Sequence, residues 1–389
     1  MRIARVLTRL NLGGPARQVL ASDPLLVERG HSVRVYAGQP EAGEGDLFEE
    51  ARRRGLDVVR VPGLKRGVAP ASDWRASRAL RRALREQAPD VLHTHASKAG
   101  TLGRMAARDL AGTACVHTFH GHVLEGYFPA AVSQRLIAHE RRLARRSDRI
   151  VAVSHATAED LLRLEVAQAE QLVVVPPGID LGGLLALERS DQAGPLRRLC
   201  GAGPEDYVVG VIGRLAAVKQ PEVALEVFAT LAARHAHLHL VYVGDGSERR
   251  SLERAIGELP PGVAERAHML GAREEMAPVL GELDCVLSSS HSEGLPVAMI
   301  EAAAAGLPVV STAVGGVPEV VAHERTGLLG EDATELAFHL DALVADPELG
   351  RAMGARARLR VEARHSARAL ADRLEALYHA VVEERACAS

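Results

Sequence analysis

The chain reads as an α/β protein built from two Rossmann-like βαβ domains. Strand-like apolar runs alternate with helical patterns almost from end to end, which marks parallel sheets joined by crossover helices. At 389 residues the chain is longer than one ordinary core serves, so two domains are expected. The alternation falls into two series separated by Pro176-Pro177-Gly178, which places a linker near 176–206.

The first series opens at once with the strand-like run Ile3-Ala4-Arg5-Val6-Leu7. No basic-then-apolar leader with a small-residue cleavage site precedes it, so secretion is not expected and a cytoplasmic protein is. Strands are predicted near 2–8, 31–37, 57–61, 90–94, 114–119, 149–153 and 171–175. Pro24 falls inside the pattern of the first helix, where it predicts a kink or a broken start. The second series places strands near 207–212, 238–243, 267–270, 284–288 and 308–311, and residues 332–386 read as consecutive helices. Domain boundaries follow at 1–177 and 178–365, with 366–389 as a separate C-terminal helix.

Composition narrows the function. No run approaches the roughly 18 apolar residues of a membrane span. The four cysteines lie far apart without metal-ligand spacing and read as reduced thiols. Residues 1–177 hold 27 Lys and Arg against 19 Asp and Glu, a net charge of +8; residues 178–389 carry −11. A basic first half suits an anionic lipid surface or a phosphorylated acceptor. Nucleic acid is not an expected partner, because only 3% of residues are aromatic and stacking platforms are scarce.

Ligands of doubly wound sheets bind at the carboxyl ends of the strands, and the motifs fall at those ends, directed at one cleft between the domains. In Glu293-Gly294-Leu295-Pro296-Val297-Ala298-Met299-Ile300-Glu301 two carboxylates stand eight positions apart where a loop becomes a helix. Pro296 suits the first helical turn, so the amides of Gly294 and Leu295 are expected to face an anion, with Glu301 about two turns inside. A helix start that attracts phosphate, with two acceptors for sugar hydroxyls, describes a nucleotide-sugar site. A carboxylate at Glu301, between Ile300 and Ala302, needs partners, which favours a functional role. Upstream, Val208 to Gly213 is a buried strand that delivers Arg214, with Lys219 five residues later. A guanidinium that holds two oxygens and an ammonium point charge together suit a diphosphate. Gly244-Asp245-Gly246 fits a tight βα turn with an N-capping Asp as well as it fits direct ligand contact. Gly13-Gly14 allows close backbone approach to a phosphate or a sugar.

These segments, with His93-Thr94-His95-Ala96-Ser97-Lys98-Ala99-Gly100, His117-Thr118-Phe119-His120-Gly121-His122, Pro177-Gly178-Ile179-Asp180 and Val314-Gly315-Gly316-Val317-Pro318-Glu319, resemble the retaining glycosyltransferases of family 4 in joint order and spacing. The resemblance covers nearly the whole chain. It implies the GT-B fold, two Rossmann-like domains facing across a cleft, with the last helix packing back on the first domain. It implies that Arg214 and Lys219 meet the donor pyrophosphate, that Glu301 binds the ribose, that Glu293 lies near the sugar C3 and C4 hydroxyls, and that His120 contacts the sugar near C6. Backbone groups near Gly271 and Arg273 are expected to meet the base. His95, Lys98 and His122 become acceptor-side candidates, because the His-Thr-His-x-x-Lys-Ala-Gly pattern is typical of members that build exopolysaccharide or lipopolysaccharide; His117 is read as structural.

Five histidines on neighbouring strand ends (His93, His95, His117, His120, His122) lack a carboxylate or cysteine at ligand spacing, so no zinc site is expected. No Asp-x-Asp motif is present either, and the expectation is a metal-independent enzyme without cofactor that moves a sugar from a nucleotide-diphosphate donor, UDP-linked before GDP-linked, to a glycan or polyprenyl-diphosphate-linked acceptor. A nucleotide-sugar 2-epimerase of the same architecture is the enzymatic alternative, disfavoured by the Glu-x7-Glu and Arg-x4-Lys pairs. A non-catalytic nucleotide-sugar-binding subunit is the other. Arg75, Arg78, Arg82 and Arg85, and the crowd at Arg135, Arg141, Arg142, Arg145, Arg146 and Arg149, read either as solvated faces or as peripheral membrane contacts.

Overall fold

A computed structural model of the protein describes residues 1–388 apart from 42–44, 68, 111, 122–123, 125–128 and 189–191. The chain forms two compact units: residues 1–180 with the segment from His365 onward, and residues 181–364. Each is built on a parallel sheet, and the fold is α/β of the GT-B type.

The first sheet contains β1 (Arg2–Arg9), β2 (Ser32–Gly38), β3 (Asp57–Arg60), β4 (Val91–His95), β5 (Ala114–Phe119), β6 (Arg149–Ala152) and β7 (Leu172–Val174), in the order β3-β2-β1-β4-β5-β6-β7. The second contains β8 (Tyr207–Ile212), β9 (Leu238–Val243), β10 (Ala267–Gly271), β11 (Cys285–Ser288), β12 (Val309–Thr312) and β13 (Gly327–Gly330), in the order β10-β9-β8-β11-β12-β13. In both sheets the strand order reverses beside the first strand, and that reversal opens the crevice in which such sheets hold ligands. Each strand expected from sequence lies within one residue of its observed bounds, whereas β13 was not anticipated.

The first helix, α1 (Gly14–Glu28), runs through Pro24 unbroken, so the broken start that the proline suggested does not occur. Proline removes the amide that would bond the carbonyl of Leu20, and the guanidinium of Arg54 donates to that carbonyl instead, at 3.3 Å. The helices over this sheet include α2 (Pro70–Gln87), α3 (Ser97–Ala106) and α4 (Ala130–Ala144). In the second unit α5 (Pro221–Ala232), α6 (Val297–Ala304) and α7 (Ala333–Ala345) flank the strands, and α8 (Pro347–His365) leads out of it.

The last helix, α9 (Ala367–Ala388), belongs to the first unit and packs on α1. Leu370, Leu374, Leu377 and Val381 recur at helical spacing and are buried in the same core as Val19, Leu20 and Leu26 of α1. Each such side chain contributes about 1.5–3 kcal/mol of burial. Ion pairs hold the flanks, Arg29 to Asp372 at 2.6 Å and Arg385 to Asp148 at 2.8 Å. His31, Glu375 and His379 also gather here within 4.8 Å of one another. Glu375 is already engaged by His31 and Arg29, each at 2.7 Å. Where the chain returns, the amide of Ile179 donates to the carbonyl of His365 at 2.9 Å, and Nδ1 of His365 lies 2.8 Å from the carbonyl of Pro177.

No helix among the described residues is long and apolar enough to cross a membrane.

Candidate active site

In the second unit β8 ends at Gly213-Arg214, and a single 3-10 turn, Ala217–Lys219, leads to Gln220 in the left-handed region (φ 45°, ψ 54°) before Pro221 opens α5. A non-glycine residue there is strained, and such strain concentrates at sites the surrounding structure over-determines. Here the restraint is visible. The Ser289 hydroxyl donates to the carbonyl of Gln220 at 2.7 Å, and the amide of His291 donates to the carbonyl of Val218 at 2.9 Å. The loop after β11 is thus strapped to the loop that carries Lys219.

The Lys219 ammonium bonds Oε1 of Glu293, and the Ser290 hydroxyl donates to the same oxygen at 2.7 Å. The Glu293 backbone is held from its other side. A Cβ on Gly315 (φ 52°) would stand 1.9 Å from the Glu293 carbonyl, and the amide of Gly316 donates to that carbonyl at 3.3 Å. Glycine is equally required at Gly244, where a Cβ would stand 1.8 Å from the carbonyl of Gly213. A pocket results whose lining includes Arg214, Lys219, Ser290, Glu293, Pro296 and Val297. Pro296 is the cap of α6 rather than part of its first turn, so the amides that lack intrahelical acceptors begin at Val297 and Ala298, both on the pocket wall. Gly294 and Leu295, expected to present those amides, lie before the helix and outside the lining. Glu301 is buried in the second turn of α6. Gly271 (φ 73°) accepts from the amide of Gly244 at 3.0 Å, and Arg273 is exposed. The Asp245 carboxylate accepts from its neighbour's amide at 2.7 Å and pairs with Arg249 at 3.3 Å, which is turn chemistry.

In the first unit the pleat sorts the histidines onto two faces of the sheet. His117 shares its face with Thr94, whose hydroxyl lies 2.8 Å from Nδ1, beside the buried ion pair of Arg104 and Glu140. His93, His95 and His120 share the other. His93 stacks on His95 with centroids 4.3 Å apart, and Nδ1 of His95 lies 2.9 Å from Nε2 of His120. Burial, reinforced by neighbouring positive charge, lowers all four imidazoles well below their ordinary range, His120 to about 3, so each is neutral. Neutral rings donate or accept hydrogen bonds; they do not supply charge.

Residues 12–182 match the model of Glycosyltransferase Family 4, and residues 206–346 that of Glycosyl transferases group 1. The D-inositol 3-phosphate glycosyltransferase of Actinosynnema mirum is 31% identical, over 89% of this chain and 87% of its own. This chain is a family 4 glycosyltransferase. A second relative, the UDP-Gal:α-D-GlcNAc-diphosphoundecaprenol α-1,3-galactosyltransferase of Escherichia coli, is 28% identical over 74% of this chain and 75% of its own. Among solved structures, Anabaena HepE in complex with UDP and glucose aligns with TM-score 0.80 and 19% identity, covering 98% of this chain and all of that one. Sucrose-phosphate synthase from Thermosynechococcus elongatus aligns with TM-score 0.81 and 22% identity, covering 99% and 100%. Both share the fold.

In this glycosyltransferase the pocket brings together Arg214, Lys219 and Glu293 of the sequence candidates. Gly13 caps α1, whose first turn holds no acidic residue and no side-chain cap, and Gly14 opens it. Lys98, an acceptor-side candidate, is ion-paired with Asp73 at 2.5 Å and bonds the carbonyl of Gly67 at 3.0 Å, so its charge is compensated. His95, another, is buried in the middle of the histidine stack, between His93 and His120. His122 lies outside the described residues. Two residues went unnoticed in the sequence. Ser290 was visible only as one of three serines ending a strand. Tyr378, which bonds His93 across 285 positions of sequence, gave no local signal.

Proposed function

We propose that this glycosyltransferase moves a sugar from a UDP-sugar to a phosphate-bearing acceptor, lipid-linked or glycan, with retention of configuration and without a divalent metal. The pocket formed by Arg214, Lys219, Glu293 and the start of α6 carries the proposal. Two cations and uncapped helix amides supply the stabilisation that a metal would otherwise give a departing diphosphate. We place no covalent nucleophile in that pocket: Glu293, the one carboxylate in its lining, is ion-paired to Lys219 through Oε1, and its other oxygen is assigned to a sugar hydroxyl. Same-face displacement follows, in which the leaving diphosphate oxygen accepts the proton of the incoming hydroxyl. In this scheme Glu293 orients sugar hydroxyls, Glu301 serves the ribose, backbone near Gly271 and Arg273 serves the base, and His120 meets the transferred sugar. The acceptor class is supported by the relatives' names, which specify an inositol phosphate and a diphosphate-linked lipid.

The exposed arginines of α2 (Arg75, Arg78, Arg82, Arg85) and of the region of α4 (Arg135, Arg142, Arg145, Arg146) support peripheral contact with an anionic cytoplasmic leaflet. Equal sedimentation with neutral and anionic vesicles at low salt would remove that contact from the proposal.

Thermal shift with a panel of UDP- and GDP-sugars in EDTA, followed by donor hydrolysis, tests the whole. Stabilisation by a UDP-sugar with slow metal-independent release of UDP is the expected result. Release that requires Mg²⁺ or Mn²⁺ contradicts the metal-free mechanism, and binding without turnover, even with lipid-linked acceptors, contradicts the transferase.

A further inference from the structure

A continuous line of polar side chains crosses the interior of the first unit and ends at His120. Oδ1 of the buried Asp23 lies 3.4 Å from Nη1 of Arg5. Arg5 donates to the Tyr378 hydroxyl at 2.5 Å, and that hydroxyl lies 2.7 Å from Nδ1 of His93. Nε2 of His93 lies 2.6 Å from the Thr118 hydroxyl. His93 stacks on His95, and His95 meets His120. Arg5, Asp23, Tyr378, His93, His95 and Thr118 are all at most 4% exposed, so water does not substitute for any of these contacts.

Proton bookkeeping along this line is constrained. Arg5 can only donate, so the Tyr378 oxygen accepts from it; the hydroxyl's own proton has one acceptor among the described residues, Nδ1 of His93, and goes there. Neutral His93 then carries its proton on Nε2 and donates to Thr118. One proton also lies between Nδ1 of His95 and Nε2 of His120, and it has two possible owners. If His120 owned it, the proton of His95 would sit on Nε2, which is buried without a partner among the described residues. A stranded buried N–H is costly, and the positive charge of Arg5, which already depresses His95, raises that cost further. If His95 owns it, only a bare ring nitrogen is stranded, and a positive potential favours a lone pair.

We infer that His95 is a positioning residue that holds His120 as its Nδ1–H tautomer, so that His120 presents a hydrogen-bond donor to its ligand. No described residue bonds that Nδ1. A fixed N–H recognises an oxygen lone pair, as on a sugar hydroxyl or ring oxygen, and at that nitrogen the residue cannot serve as a base. The ligand's identity rests on the donor-sugar reading given above; the tautomer does not.

Long-range ¹H–¹⁵N correlation on the full-length, uniformly ¹⁵N-labelled protein tests it, with His120 assigned by loss of its signals in His120→Gln. A protonated Nδ1 and an unprotonated Nε2 are expected for His120; the reverse pattern overturns the inference. His95→Leu removes the donor to Nε2 of His120, and is expected to mix the two His120 tautomers and lower kcat about tenfold with little change in KM. An unaltered tautomer in a folded His95→Leu overturns the inference. His95→Asn is the second variant. Asn restores an amide donor near the place of Nδ1, so it should recover part of the activity lost in Leu, and equal loss in both contradicts positioning through that bond. A correct tautomer in a protein that binds no nucleotide sugar would leave this inference standing and refute the proposed function.

Discussion

Glu293 holds Lys219 through one carboxylate oxygen, Oε1, and no described residue occupies Oε2. The pair can therefore persist while Glu293 accepts a hydroxyl from a bound sugar, and the two residues should act as a unit. Lys219→Ala is expected to lower kcat more than it raises KM, and Glu293→Gln to lower kcat/KM roughly 10- to 100-fold, the scale of a charge-assisted hydrogen bond. The double variant should lose far less than the product of the single losses. Steady-state kinetics on all four proteins check this; multiplicative losses would show that the pair is incidental to turnover.

Gly244→Ala should damage the pocket at a distance from its charges. The new methyl meets the carbonyl of Gly213 at 1.8 Å and φ is 154°, so the loop that delivers Arg214 must move. More than about 1 kcal/mol of stability is expected to go, together with nucleotide affinity. Gly183→Ala, which meets nothing within 4 Å, is the matched control and should be near neutral. Thermal melts with and without UDP report both.

Acid should destabilise the protein before its carboxylates titrate. The unfolded chain takes up protons on His93, His95, His117 and His120 near pH 6.5, whereas the folded chain keeps these imidazoles neutral well below that, His120 to about 3. Below pH 6.5 the unfolded state therefore binds more protons, and by linkage stability falls as pH falls through this window. The limit is about 1.4 kcal/mol per pH unit for each histidine. Urea midpoints from pH 7.5 to 5 should slope accordingly, and His93→Gln should flatten the slope whatever it does to stability at neutral pH. A flat wild-type profile would exclude buried neutral histidines.

Arg54 and Pro24 should be coupled. Arg54→Ala leaves the Leu20 carbonyl without its donor, at a cost of about 1 kcal/mol. In a Pro24→Ala background the helix supplies its own amide to that carbonyl, so the same substitution should cost less. Chemical denaturation of the four proteins measures the coupling, and equal costs in both backgrounds would refute it.

Much of this was legible because buried parallel strands are continuous apolar runs: Tyr207–Ile212 and Leu238–Val243 are found at the bounds their composition suggests. β13 was not, and the reason is physical. It is four residues long with glycine at both ends, which weakens any strand signal. Yet a Cβ on Gly327 would stand 2.4 Å from the carbonyl of Val309, so glycine is what lets this edge strand dock. Around the pocket, residue types at motif spacing located Arg214, Lys219 and Glu293. The register of the α6 start was missed because Pro296 suits a cap as well as a first turn. Pro24 misled for a related reason, since the sequence announces the lost amide but not the arginine 30 positions downstream that replaces it. Tyr378 and His95 show the same limit, their roles set by partners that only the tertiary fold supplies.

The return of the chain to its first unit imposes an order on biosynthesis. Roughly 200 residues separate Asp180 from Tyr378, about 10–40 s of translation at 5–20 residues per second. Throughout that interval α1 has no helix to cover it, and Arg5, with its hydroxyl partner not yet made, faces Asp23 alone. The second unit, contiguous in sequence, has no such wait. A nascent chain halted before Tyr378 would thus carry a completed second unit and a histidine ladder whose tyrosine partner has not yet been made.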